Sequence, residues 1–269
     1  MGSLESLESL QFLQYDFMQR ALLAAVLVGV AAPSVGIFLV QRRLALMGDG
    51  MGHVALTGVA LVTATAGAVI IELLRTRGRT SSDLALALMF YGGIAGGVVL
   101  ISKAPGGTPA SLNQYLFGSI TTTTPQDLAI FAALSFAVVA ITVTLSRQLF
   151  AVANDEEFAR ASGLPVVALN LVVAVLTAVT VVVAMRVVGL LLVSALMVVP
   201  VATAQLVSRS FRQAFVTSLL IGLFCAVIGV AASFYTNTPS GGSIVLVAIA
   251  LFALTAVFRR SATAFRSRA

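Results

Sequence analysis

VVGLLLVSALMVVPVATAQLV, residues 187–207, carries no charged side chain from end to end. Its length matches the roughly 20 residues that a helix needs to cross the hydrocarbon core of a bilayer. A barrel strand would alternate apolar and polar residues over about ten positions, and this run does not alternate. The same pattern recurs along the chain. Apolar segments lie at roughly 18–40, 50–71, 84–102, 127–146, 166–185, 187–207, 213–235 and 243–258, with polar or Gly/Pro-rich stretches between them.

Composition agrees with this reading. The chain is 59% hydrophobic and 10% charged, whereas a soluble domain is roughly a quarter charged. Mean hydropathy is +1.06. Such a chain cannot cover a water-facing surface, so the expected fold is an all-α integral membrane protein of about eight transmembrane helices. The net charge of +6 does not point to nucleic acid, because the arginines gather at the ends of apolar runs, as topology signals do. The single cysteine, Cys225, excludes an intrachain disulfide and a thiolate metal cluster; inside an apolar run it reads as a small packing residue. Residues 1–16, MGSLESLESLQFLQYD, carry acids where a secretory signal would be basic. They are expected to be interfacial or disordered, with a single transmembrane domain at 17–260 and a basic cytoplasmic tail at 261–269.

The arginines set the expected orientation. Arg259, Arg260, Arg266 and Arg268 place the C-terminus in the cytoplasm. Strict alternation then puts Thr236–Ser243 outside, Ser208–Gln213 inside, Arg147–Pro165 inside and Lys103–Gln126 outside. Arg75, Arg77 and Arg79 fall inside, as the charge rule asks. Arg42 and Arg43 fall outside, against it; either this loop dips back toward the membrane or one of the first three segments does not fully cross. Eight crossings with both termini cytoplasmic is the resulting expectation. Within the segments, Gly92/Gly96 and Gly93/Gly97 have the spacing of close helix packing. Pro33 and Pro200 lie inside apolar runs, where a kink is expected.

The chemistry-bearing residues are few. Lys103 is the one lysine and is followed by Ala104, so there is no GxxxxGK[ST] phosphate loop. Gly-x-Ser-x-Gly and HExxH are also absent. The chain is therefore not expected to be an enzyme. The only histidine stands in Met47-Gly48-Asp49-Gly50-Met51-Gly52-His53. On a helix, Asp49 and His53 share a face one turn apart. Ionisable groups within a membrane segment mark functional sites by default, and carboxylate with imidazole is a ligand pair for divalent metals. The alternative is that Asp49 caps the following helix and His53 is a packed interfacial polar residue. One pair is too few for a transition metal, which takes roughly four ligands; a twofold dimer would double it.

A second stretch, Asn154-Asp155-Glu156-Glu157-Phe158-Ala159-Arg160-Ala161-Ser162-Gly163-Leu164-Pro165, reads as a short capped helix. Asn154 is a favoured N-cap. Acids fill the first turn and Arg160 follows, matching the helix dipole. Gly163 suits the left-handed terminating position and Pro165 stops the helix. A charged helix with one exposed aromatic suits a groove on a soluble partner; a solvated connector with Phe158 on the lipid interface is the plainer alternative. Arg186, between two apolar runs, is expected at the outer surface as a snorkelling turn residue.

RRLALMGDGMGHVALTGVAL (Arg42–Leu61) resembles the R-x-A-L-x-G-D-A-L-S-H region of the zinc/manganese ABC-importer permease family, the ZnuB-like membrane subunits. NDEEFARASGLPV (Asn154–Val166) is similar to that family's cytoplasmic coupling loop, and LNQYLFGSI (Leu112–Ile120) and AMRVVGLLLVSALMVVPVATA (Ala184–Ala204) also match. One departure is that Gly50-Met51-Gly52 stands where the family usually has Ala-Leu-Ser. The added glycines should loosen the helix between the two ligands by up to ~1 kcal/mol each.

The resemblance implies a permease working as a homodimer or beside a close paralogue. An ATP-binding-cassette ATPase would dock on the cytoplasmic face, and an extracytoplasmic metal-binding protein would deliver Zn2+ or Mn2+ as transported substrate, with no permanently bound cofactor. It assigns metal contact to Asp49 and His53, and ATPase coupling to Asn154, Asp155, Glu156, Glu157, Phe158, Ala159, Arg160 and Gly163. Two other functions stand against it: a proton-coupled secondary carrier using the same pair, and a non-transporting membrane scaffold.

Overall fold

The computed structural model describes residues 15–55, 69, 87, 90–95, 99, 124–236 and 238–266. The described helices are α1 (Asp16–Gln41), α2 (Met47–Ala55), α3 (Pro125–Thr144), α4 (Ser146–Asn154), α5 (Glu156–Ala161), α6 (Val166–Val188), α7 (Leu190–Val207), α8 (Phe211–Thr236) and α9 (Ser240–Arg266). Six of them, α1, α3, α6, α7, α8 and α9, are long and apolar enough to cross a membrane. Segments 50–71 and 84–102 fall largely outside the described residues, as do Arg75, Arg77, Arg79, Gly96, Gly97 and the 112–120 motif.

The bundle is built around α1, which packs on α3, α6, α7 and α8. In its most apolar stretch 72% of residues are buried, against 22% in α3 and in α9, so α1 is central and those two are peripheral. The approach of α1 to α8 is set by Gly29 and Gly222. A Cβ on either would strike the other's carbonyl oxygen. Pro33 has no N–H to offer the Gly29 carbonyl four residues earlier, so the oxygen turned toward Gly222 is one that the helix itself leaves without its usual donor. Both α1 and α7 run through their prolines as continuous helices.

The remaining boundaries follow local chemistry. Thr124 and Asp127 form a reciprocal capping box at the start of α3, with Pro125 in the first turn. A single residue separates α6 from α7: Gly189, at φ 88° and ψ 152°, a backbone conformation that is open only to glycine. The break therefore comes at Gly189, three residues beyond Arg186, which lies within α6 and not in a turn. Cys225 is fully buried in the core, as a small packing residue should be. Gly92 is exposed, and a Cβ there would meet nothing among the described residues within 4 Å.

The two ends of the bundle are fixed by ring and charge contacts. Tyr15 lies against Phe234 with ring centroids 6.2 Å apart, which joins the start of α1 to the end of α8. At the opposite end Phe211 packs on Phe38 and Phe150, and Arg42 stands 4.0 Å from Glu156. Arg42 thus shares an end of the bundle with the Arg147–Pro165 loop and with Phe211, where strict alternation had put that loop and Arg42 on opposite sides.

Candidate functional site

The short helix α2 leans on α6 and α7. Its glycines make this possible. A Cβ at Gly48 would come within 2.9 Å of Met197 Sδ, and one at Gly52 would overlap the Leu190 side chain. Gly52, expected to loosen the helix, is thus a contact position. With Gly48 and Gly52 turned to α6 and α7, Met51 is buried and the Asp49/His53 edge is only partly enclosed.

Asp49 Oδ2 and His53 Nε2 are 3.7 Å apart, with side chains 22% and 13% exposed. This is too long for a hydrogen bond. It is close to the ~3.4 Å that separates two ligand atoms bonded at about 2.1 Å to one tetrahedral ion. The other carboxylate oxygen, Oδ1, accepts a 3.1 Å hydrogen bond from Ser194 Oγ on α7. The edge of Phe90 closes the other side of the imidazole, with ring centroids 4.9 Å apart at 79°. The capping alternative does not hold: α2 begins at Met47, and the Asp49 side chain reaches across to α7 and not to its own helix end.

Sequence reasoning missed Ser194 and Phe90. Ser194 is 145 positions from Asp49, and its only local signal is a hydroxyl within the run Leu190–Pro200. Among the described residues no group of three or more His, Cys, Asp or Glu side chains comes together. Among the described residues the site comprises one carboxylate, one imidazole and a hydroxyl bonded to the carboxylate.

The second stretch forms α4 and α5 at the bundle end that carries Arg42. Asn154 closes α4, and the N-cap of α5 is Asp155, whose carboxylate accepts from the Phe158 N–H at 2.9 Å. The cap therefore sits one residue later than expected, because Asn154 is still helical. Glu156 and Glu157 occupy the first turn, and Arg160 donates to Glu156 across 3.4 Å. Ala159 is buried, Phe158 is 67% exposed, and Gly163 terminates the segment at φ 80°.

A family model described as the ABC 3 transport family matches residues 14–259. The chain belongs to the ABC 3 transport family. Among similar members of the ABC 3 transport class, the manganese transport system membrane protein MntC of Halalkalibacterium halodurans is 32% identical over 261 residues, covering 92% of this chain and 89% of that protein. The manganese import system permease protein ScaB of Streptococcus gordonii is 30% identical over 251 residues, covering 88% and 90%. The solved structure of PsaBC from Streptococcus pneumoniae in complex with Fab superposes with a TM-score of 0.82 at 30% identity, over 93% of this chain and 94% of that one. As an ABC 3 transport family member, the chain is a multi-pass plasma-membrane permease subunit and not an enzyme.

Proposed function

We propose that this permease carries a divalent transition metal, manganese or zinc, inward from an extracytoplasmic binding protein, with ATP hydrolysed by a separate cassette subunit docked on α5. The observation that carries the proposal is the Asp49–His53 pair, a carboxylate and an imidazole at shared-ligand spacing inside the bundle. Relatives named for manganese transport favour that metal, and imidazole equally suits zinc. Two permease copies would bring two carboxylates and two imidazoles to the axis, enough to hold one ion.

Each residue then has a task. Neutral His53 offers a nitrogen lone pair, since metal binding requires the deprotonated ring. Asp49 supplies charge, and Ser194 keeps its Oδ1 engaged so that Oδ2 faces the ion. The end holding Arg42, Arg43 and Arg209 faces the cytoplasm by the charge rule. The exposed Phe158, on a helix with satisfied caps, is the docking anchor for the ATPase. Alternating access, driven by ATP, opens the pair first to one side and then to the other.

Uptake of manganese or zinc into proteoliposomes holding the permease with its ATPase tests the proposal. Asp49→Ala and His53→Ala each abolish uptake while the complex still assembles. Normal transport by both variants would remove the site. Uptake driven by a pH gradient with no ATPase present would favour the secondary-carrier reading instead.

A further inference from the structure

We infer that Arg42 and Glu156 form a positioning link that ties the coupling helix α5 to the metal-site helix α2. The inference rests on the transport reading above and extends it to the path by which movement at α5 reaches Asp49. The Arg42 guanidinium lies 4.0 Å from the Glu156 carboxylate, with side chains 7% and 31% exposed. Arg160 lies 3.4 Å from the other oxygen of the same carboxylate. Arg42 is also the C-cap residue of α1, and only seven positions separate it from Asp49.

The chain between them is short and internally bonded. Arg43 takes a left-handed φ of 58°. Its N–H bonds to the Val40 carbonyl at 3.1 Å, and the Leu44 N–H bonds to the Leu39 carbonyl at 2.8 Å. These are the two bonds of a Schellman turn, with arginine where glycine is usual. Met47 N–H then bonds to Leu44 O at 2.9 Å, and Gly50 N–H to Leu46 O at 3.0 Å. Leu44 and Met47 are buried. The turn after Arg42 and the entry to α2 are thus held by backbone hydrogen bonds and by the buried Leu44 and Met47. A displacement of α5 that pulls Glu156 draws on Arg42. The stiff turn passes it to α2, where it changes the distance from Asp49 to Ser194. Left-handed backbone at a non-glycine residue stores strain of the kind found at moving parts.

The test measures ATP hydrolysed per metal ion transported, in proteoliposomes with the ATPase and binding protein. Arg42→Gln and Glu156→Gln each raise that ratio by about fivefold, the lower range of coupling between sites, with manganese affinity unchanged. The double variant is no worse than either single one, because both remove the same link. Glu156→Gln lies on a part-exposed surface helix and carries the test if the buried Arg42→Gln fails to assemble. An unchanged ratio in Glu156→Gln, or single effects that multiply in the double variant, overturns the link. Asp49→Ala separates the two layers of argument. If it transports normally, the metal-site reading fails; if it is dead while the Gln variants stay fully coupled, only the link fails.

Discussion

Two of the glycine-built helix approaches in this molecule differ in kind. At the α1–α8 crossing, Gly29 and Gly222 bring backbone against backbone, with no polar side chain involved. At the α2–α7 approach, Gly48 and Gly52 meet the flexible side chains of Met197 and Leu190, and the same approach carries Asp49 to Ser194. The first contact cannot yield, because neither backbone can move aside. The second can yield by rotating a methionine or a leucine. A rigid crossing thus anchors the bundle, and a compliant one holds the Asp49–His53 pair proposed as the metal site. A transporter needs both, since its site must rearrange while its frame does not.

The largest expected effect breaks the rigid side. Gly222→Ala destabilises the purified permease by about 2–3 kcal/mol, the upper range for overpacking, read as a lowered thermal midpoint in detergent. Gly52→Ala costs less, about 1 kcal/mol, because Leu190 can turn away and alanine favours the helix. Equal losses from the two variants would erase the distinction between the approaches. Ser194→Ala removes one hydrogen bond, worth about 1 kcal/mol, and lowers manganese affinity by roughly fivefold while leaving the thermal midpoint nearly unchanged. A large stability loss without an affinity change would make Ser194 a structural residue only. The smallest effect concerns a polar group outside both approaches. Asn170 is buried in α6 with neither amide atom hydrogen-bonded, so Asn170→Leu leaves stability unchanged or raises it by up to about 1 kcal/mol. A clear loss of transport in that variant would show that the amide serves passage.

Much of this architecture could be read from residue order. The six described spans match apolar runs to within a few residues, since uninterrupted apolar length is what a bilayer selects. The offset between Asp49 and His53 was equally legible, because a helix fixes which residues share a face. What the sequence concealed was non-local or depended on one residue of backbone geometry. Ser194 meets Asp49 only through the packing of α7. Arg186 looked like a turn residue because it is charged, but the backbone breaks at Gly189, where φ is positive. Asn154 and Asp155 are both good caps, and continuation of α4 through Asn154 decided between them. For Arg42 and Arg43 the charge rule and the alternation count disagreed. The contact with Glu156 puts Arg42 at the same end of the bundle as the Arg147–Pro165 loop, where the alternation count did not.

The central claim is that one carboxylate and one imidazole from each permease copy hold the transported ion. Anomalous scattering from crystals of the assembled complex soaked in manganese tests this most directly. The account predicts a peak about 2.0–2.2 Å from Asp49 and His53, lost in Asp49→Ala. A metal peak elsewhere in the passage, with both side chains unliganded, would contradict it.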